Sequence, residues 1–271
     1  MRHGHLTLTA VAAMFSPVCL APALAEPVDV ELVLAVDVSL SMSPGELQIQ
    51  REGYAAAINH PAVVSAILDG GHGRIAVTMF EWAGEASQRE ILPWTVIASQ
   101  ADADAVSAAV LATPSIGMRR TSISGALSHA TNLIETNAFD GVRRVIDVSG
   151  DGPNNQGSPV TEQRDKAAAL GIVINGLPLM TNGGLTSSFS IENLDEYYTN
   201  CVIGGPGGFM IPVNDWDQFP EAIRRKLVLE IGGYHPPARI LPAQFSSEPY
   251  DCLIGEKLWQ QRRWQWDLDD R

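Results

Sequence analysis

Val30-Glu31-Leu32-Val33-Leu34-Ala35-Val36-Asp37-Val38-Ser39-Leu40-Ser41 decides how this chain is read. A run of strand length, apolar except for Glu31, ends on an acid. Two hydroxyls follow at alternate positions. Near-continuous apolar runs of this length belong to strands covered on both faces. An acid and two hydroxyls just past such a strand describe a loop folded around a hard cation, because magnesium, calcium and manganese take oxygen ligands. The plainer alternative is a strand end with small polar residues and an ordinary helix cap.

Outward from this stretch, apolar strands alternate with helical patterns. Strands are expected at 30–36, 74–82, 91–97, 143–149, 172–179 and 209–213. Pro93 places the third at an edge, since proline donates nothing to a ladder. Ser43-Pro44-Gly45-Glu46 has the form of a capping box with proline at the first helical position. Further helices are expected at 62–68, 101–111, 124–136, 161–170, 194–202 and 216–231. Alternation of this kind predicts an α/β fold: a doubly wound, mostly parallel six-stranded sheet with helices on both faces.

The chain's first 25 residues read as an export signal. A short polar start precedes an apolar segment at 6–20, and Ala23-Leu24-Ala25 supplies a small-residue cleavage site. No later run is long and apolar enough to span a bilayer, so no stable membrane insertion is expected after signal removal. The intended organisation is signal peptide 1–25, main domain 28–233, and a C-terminal extension 234–271 packed on that domain. His235-Pro236-Pro237 marks the linker. The extension carries Trp259, Trp264 and Trp266 near Arg262 and Arg263, which fits a strap or a partner-docking segment.

The formal charge of the 271-residue chain is −13. An acidic chain is a poor ligand for phosphate backbones, so nucleic acid is not an expected partner. Cys201 and Cys252 are the cysteines left after signal removal, an even pair that is a disulfide candidate in an exported protein.

Ligands of doubly wound sheets bind beyond the carboxyl ends of the strands, where strand order reverses. If the first and fourth strands are the central ones, Asp37 and Asp151 both enter that crevice. Gly150 and Gly152 flank Asp151 and permit a tight turn. Thr121, just before an apolar helix, offers one more hydroxyl. Two carboxylates and three neutral hydroxyls leave a dication strongly Lewis acidic, able to take a further carboxylate from outside.

These residues resemble von Willebrand factor type A domains with a metal-ion-dependent adhesion site (MIDAS), and more narrowly an uncharacterised bacterial secreted family of type A-like proteins. The D-x-S-x-S pattern is met by Asp37, Ser39 and Ser41. Thr121 stands in the family's threonine loop, and Asp151 in its later aspartate loop. The resemblance spans roughly 28–233. It implies one antiparallel edge strand, direct ligation by Ser39, Ser41 and Thr121, and ligation by Asp37 and Asp151 directly or through water. It implies magnesium foremost, with calcium or manganese as other candidates. The implied activity is non-enzymatic: a periplasmic or secreted binding module that recruits an exposed Asp or Glu of a protein partner. Two positions depart from the pattern: Arg119-Arg120 replaces the usual Gly-Gly, and Gly150 replaces the usual threonine.

The competing function is a metal-dependent hydrolase, phosphatase-like, with Asp37 as nucleophile. Such enzymes usually carry a second acid two residues on, where this chain has Ser39. No G-x-S-x-G elbow occurs. His60, His72, His129 and His235 are scattered without zinc spacing, and Gly204 to Gly208 lacks the Lys-Ser/Thr of a phosphate loop.

Overall fold

A computed structural model describes residues 25–181, 190–233 and 250–269, with backbone alone for 263–269. The expected signal segment and the His235-Pro236-Pro237 linker lie outside the described residues, as do the side chains of Trp264 and Trp266.

Five strands form one sheet in the order β3-β2-β1-β4-β5. They are β1 (Glu26–Asp37), β2 (Ile75–Trp82), β3 (Gln88–Ile97), β4 (Phe139–Gly150) and β5 (Val173–Pro178). β3 is antiparallel to β2 and the other pairings are parallel. Pro93 therefore sits on the antiparallel edge strand, where its missing N–H costs least.

Side chains of β1 alternate between two apolar cores. Val30, Leu32, Leu34 and Val36 enter one, and Val33 and Ala35 enter the other. That alternation explains why the strand is apolar almost throughout. The first core is covered by α1 (Pro44–Ile58), α2 (Pro61–Leu68), α3 (Gln100–Ala112) and α7 (Phe219–Gly232). The second lies under α4 (Ile123–Glu135), α5 (Val160–Ala169), α6 (Leu194–Tyr197) and a π turn at Tyr198–Val202. The capping box forms as its sequence predicts: Ser43 N–H donates to Glu46 Oε2 at 2.7 Å, and Glu46 N–H donates to Ser43 Oγ at 3.3 Å.

The sixth strand does not form. Segment 209–213 runs beside β5 with only isolated bridges, Gly176 with Met210 and Leu179 with Val213. Pro212 cannot donate to a ladder, and Gly205 and Gly207, both at positive φ, bend the chain before it. Apolar composition alone resembled a strand there.

Cys201, in the π turn, is bonded to Cys252, and their Cα atoms are 5.5 Å apart. The bond ties the turn to the start of α8 (Ile254–Asp269). α8 then packs against the 151–158 loop. Asn154 Nδ2 donates to Glu256 Oε1 at 2.7 Å. A Cβ on Gly255 would lie 2.0 Å from the Asn154 carbonyl oxygen, so this helix approaches that loop only through a glycine. Among the described residues, no helix is long and apolar enough to cross a membrane.

Candidate metal centre

β1 and β4 are neighbours at the centre of the sheet, and the strand order reverses between them. Their carboxyl ends deliver Asp37 and the loop carrying Asp151 to the same place. Asp37 is fully buried, Ser39 nearly so, and Ser41 and Asp151 are half-buried.

The D-x-S-x-S loop is a tight local structure. Ser39 N–H donates to Asp37 Oδ1 at 2.7 Å, an Asx-type turn that fixes the carboxylate. Gln50 of α1 donates from Nε2 to the Asp37 carbonyl at 2.8 Å. Ser39 and Ser41 hydroxyls are 2.8 Å apart. Ser41 Oγ donates to Asp151 Oδ1 at 2.8 Å, and Ser39 Oγ reaches the same oxygen at 3.4 Å. Side chains separated by more than a hundred residues thus meet around one carboxylate oxygen.

Backbone bonds lace the three loops together. Val38 N–H donates to Trp82 O at 2.9 Å, and Met118 N–H donates to Val38 O at 2.8 Å. Thr121 joins through its main chain: its N–H donates to Asn155 Oδ1 at 3.1 Å, and its carbonyl accepts from Asn155 N–H at 2.8 Å. Asn154 Oδ1 accepts from Ser124 N–H at 3.0 Å, joining the start of α4 to the same loop. Thr121 is itself buried. The loop before it is pinned by Arg51, which donates to Ser115 Oγ, to the Val110 carbonyl and to buried Glu81.

Arg120 has φ of +78°, the only non-glycine residue with positive φ among those described. Its guanidinium lies 3.4 Å from the centre of the Trp259 ring of α8. One cation of the Arg119-Arg120 pair is thus turned toward the C-terminal helix, and both arginines are exposed.

Electrostatically the cluster is loaded. Burial, and then the Asp151 carboxylate, hold the Asp37 carboxyl well above the usual range, and burial raises Asp151. Among the described residues no ion pair reaches either acid. Asp37 Oδ2 is buried and accepts no hydrogen bond. Among the described residues, no three His, Cys, Asp or Glu side chains gather as a metal-holding group. The oxygens collected here are instead those of two acids and neighbouring hydroxyls.

Asp37, Ser39, Ser41 and Asp151 come together through their side chains, and Thr121 is joined to them through the loop lacing. Sequence reasoning missed Tyr198, Gln50, Asn154 and Asn155. Trp82 is fully buried, and its Cη2 would lie 3.4 Å from a Cβ on Gly150. The paired asparagines just after Asp151 were the one visible signal, since Asn side chains bond readily to nearby backbone.

Solved structures share the fold. A pilus adhesin, SpaC of Lactobacillus rhamnosus GG, superposes with a TM-score of 0.54 at 12% identity, over 76% of this chain and 31% of that one. A von Willebrand factor type A structure from Catenulispora acidiphila gives 0.53 at 15% identity, over 76% and 43%. Proximal thread matrix protein 1 from the mussel byssus, with its MIDAS motif occupied by zinc, gives 0.51 at 16% identity, over 76% and 46%. This chain spans less than half of each of these chains. None of the curated proteins matches it. The sheet order, the helices on both faces and these likenesses make the fold von Willebrand factor A-like. Residues 27–235 match the family described as "Protein of unknown function (DUF1194)", and the chain belongs to that family.

Proposed function

We propose that this protein is an exported, metal-dependent protein-binding module. In this reading Asp37, Ser39, Ser41, Thr121 and Asp151 hold one divalent cation, magnesium foremost, and the cation recruits an exposed Asp or Glu of a partner. The observation that carries it is the meeting of Ser39, Ser41 and Asp151 around one carboxylate oxygen, beside a buried Asp37 oxygen with no well-formed hydrogen bond among the described residues.

The donor chemistry fits the ion. Two carboxylates match a dication in charge, hydroxyls are hard oxygen ligands, and the residues lack the thiolate or imidazole set of a structural zinc site. A bound ion would supply Lewis acidity toward an incoming carboxylate. The protein's own groups do the rest. The Asx turn orients Asp37, Asn155 clamps Thr121, and the loop lacing keeps the hydroxyls converged. The likeness to a mussel protein with a zinc-occupied MIDAS and to a pilus adhesin supports the reading, as does the absence of an acid two residues after Asp37. Arg119, exposed and two residues before Thr121 in an otherwise acidic chain, suits an acidic partner. The domain limits 28–233 and 234–271, and a periplasmic or secreted location following cleavage after Ala25, belong to the same proposal.

The test is capture of envelope proteins on the immobilised protein with magnesium or with a chelator. The expected result is a partner retained only with magnesium and lost on the Asp37→Ala protein. Equal retention under both conditions would refute metal-dependent binding. Hydrolysis of a generic phosphomonoester, abolished by Asp37→Ala, would favour the phosphatase-like alternative.

A further inference from the structure

Two glycines on adjacent strands, Gly150 at the end of β4 and Gly176 within β5, make room for the same side chain. A Cβ built on Gly176 would lie 2.6 Å from Tyr198 Cδ1, and one built on Gly150 would lie 2.9 Å from the Tyr198 hydroxyl oxygen. The register pairs Val148 with Gly176 and Gly150 with Pro178. Both glycines therefore open toward one face of the sheet, and together they clear a slot along β4 and β5. Tyr198 fills it. It begins the π turn, is fully buried, and is held from behind by the Cys201–Cys252 bond three residues on. π segments are uncommon and recur at functional sites.

The slot ends at the candidate metal centre. The position of the absent Gly150 Cβ is 2.9 Å from the Tyr198 hydroxyl and also 2.9 Å from Asp37 Oδ2. The phenol and the carboxylate oxygen thus flank a single point. Both are buried, and neither has a hydrogen-bond partner. A buried hydroxyl and a buried carboxylate oxygen are each costly when left alone. Giving up two side chains to bring them together makes sense when they act as a pair. An ordinary phenol is protonated at neutral pH and can donate.

We propose that Tyr198 is a positioning residue for the cation site: its phenol faces Asp37 Oδ2 across the point that Gly150 leaves open, unbonded in this structure, and donates to that oxygen once a cation fixes the carboxylate. The inference rests on the reading of the cluster as a cation site. It assigns an outer contact of Asp37 to Tyr198, which lies far along the chain from Asp37, Ser41, Thr121 and Asp151. It also gives Gly150 a reason: a threonine there would collide with both the phenol and Asp37.

The test is calorimetric titration of magnesium and of manganese into the exported chain and its variants, with melting temperatures measured without metal. Tyr198→Phe is expected to bind both ions about tenfold more weakly, the usual loss when an outer contact of a ligand is removed. Its metal-free melting temperature should be unchanged or higher, since a buried unpartnered hydroxyl is gone. Gly176→Ala, which pushes the ring out of its slot, should weaken binding at least as much. Adding Tyr198→Phe to Gly176→Ala should cause no further loss. If the wild type binds and Tyr198→Phe binds equally well, or if the two losses simply add, the assignment of Tyr198 is wrong. If the wild type binds neither ion, the metal reading itself fails and takes this assignment with it.

Discussion

Asp147 and Glu230, on the α1 and α7 side of the sheet, share the ammonium of Lys226. Its Nζ lies 2.7 Å from Asp147 Oδ1 and also bonds Glu230. All three side chains are essentially inaccessible to solvent. Asn175 adds a hydrogen bond to Glu230 at 2.9 Å. The Asp147 contact is close but off-line, so neither Asp147 oxygen accepts a well-formed hydrogen bond. Asp37 and Asp151, at the loop end of the sheet, are surrounded by hydroxyls and amides, and no described ion pair reaches them. The molecule therefore handles buried acids in two ways. One pair has its cation built into α7. The other collects oxygen donors around a position suited to a cation from outside. The first arrangement makes loss of its cation costly, and in the proposed reading the second is completed by a bound ion.

The comparison breaks most visibly if the built-in cation is removed. Lys226→Met should cost about 3–5 kcal/mol, the usual penalty for leaving buried charge without its partner. Chemical denaturation of the purified variant would read it as a large fall in midpoint. An unchanged midpoint would mean the triad is not the dry ionic centre described here. Cys252→Ser frees the π turn from α8 and should cost about 2–4 kcal/mol in the same assay. It should also loosen the contact of Asn154 with Glu256 and so disturb the loop end more than the triad.

A pH series sharpens the contrast. Burial, and then the Asp147 charge, push Glu230 up to about 7. An acid with a raised pKa favours the fold below its unfolded value and loses that contribution as pH rises through its folded value. Wild-type stability from this group should therefore fall between about pH 5 and pH 8. Glu230→Gln cannot titrate. The difference in stability between variant and wild type should climb in the variant's favour by about 1–3 kcal/mol over that interval. A difference independent of pH would show that Glu230 stays ionised throughout. The smallest effect is expected at the other pair. Asp151→Asn removes a like charge from beside Asp37 and should make the metal-free protein up to about 1 kcal/mol more stable, opposite in sign to Lys226→Met. A clear loss of metal-free stability would mean the loop acids already have their counter-charge.

How much of this was legible depended on the range of the interactions involved. The D-x-S-x-S loop, the capping box at Ser43 and the edge position of β3 all follow from residues a few places apart. The central place of the first and fourth strands was a supposition of the sequence reading, and the parallel pairing of β1 with β4 is what the structure adds. The triad was not foreseen. Lys226 and Glu230 are spaced as a solvated helix pair, and only the acid within the apolar run of β4, Asp147, hinted that a cation must come to it. Tyr198 was invisible for a similar reason. Its slot is made by two glycines that read separately as a tight turn and a strand residue. Segment 209–213 misled because hydrophobicity was weighed above Pro212.

The most direct test of the central claim is a calorimetric titration of magnesium into the wild-type chain alongside Asp37→Ala, with circular dichroism to check the fold of both. The account predicts saturable one-to-one binding by the wild type and none by a still-folded Asp37→Ala. Equal binding by both, or no saturable heat from the wild type with magnesium, manganese or calcium, would contradict it.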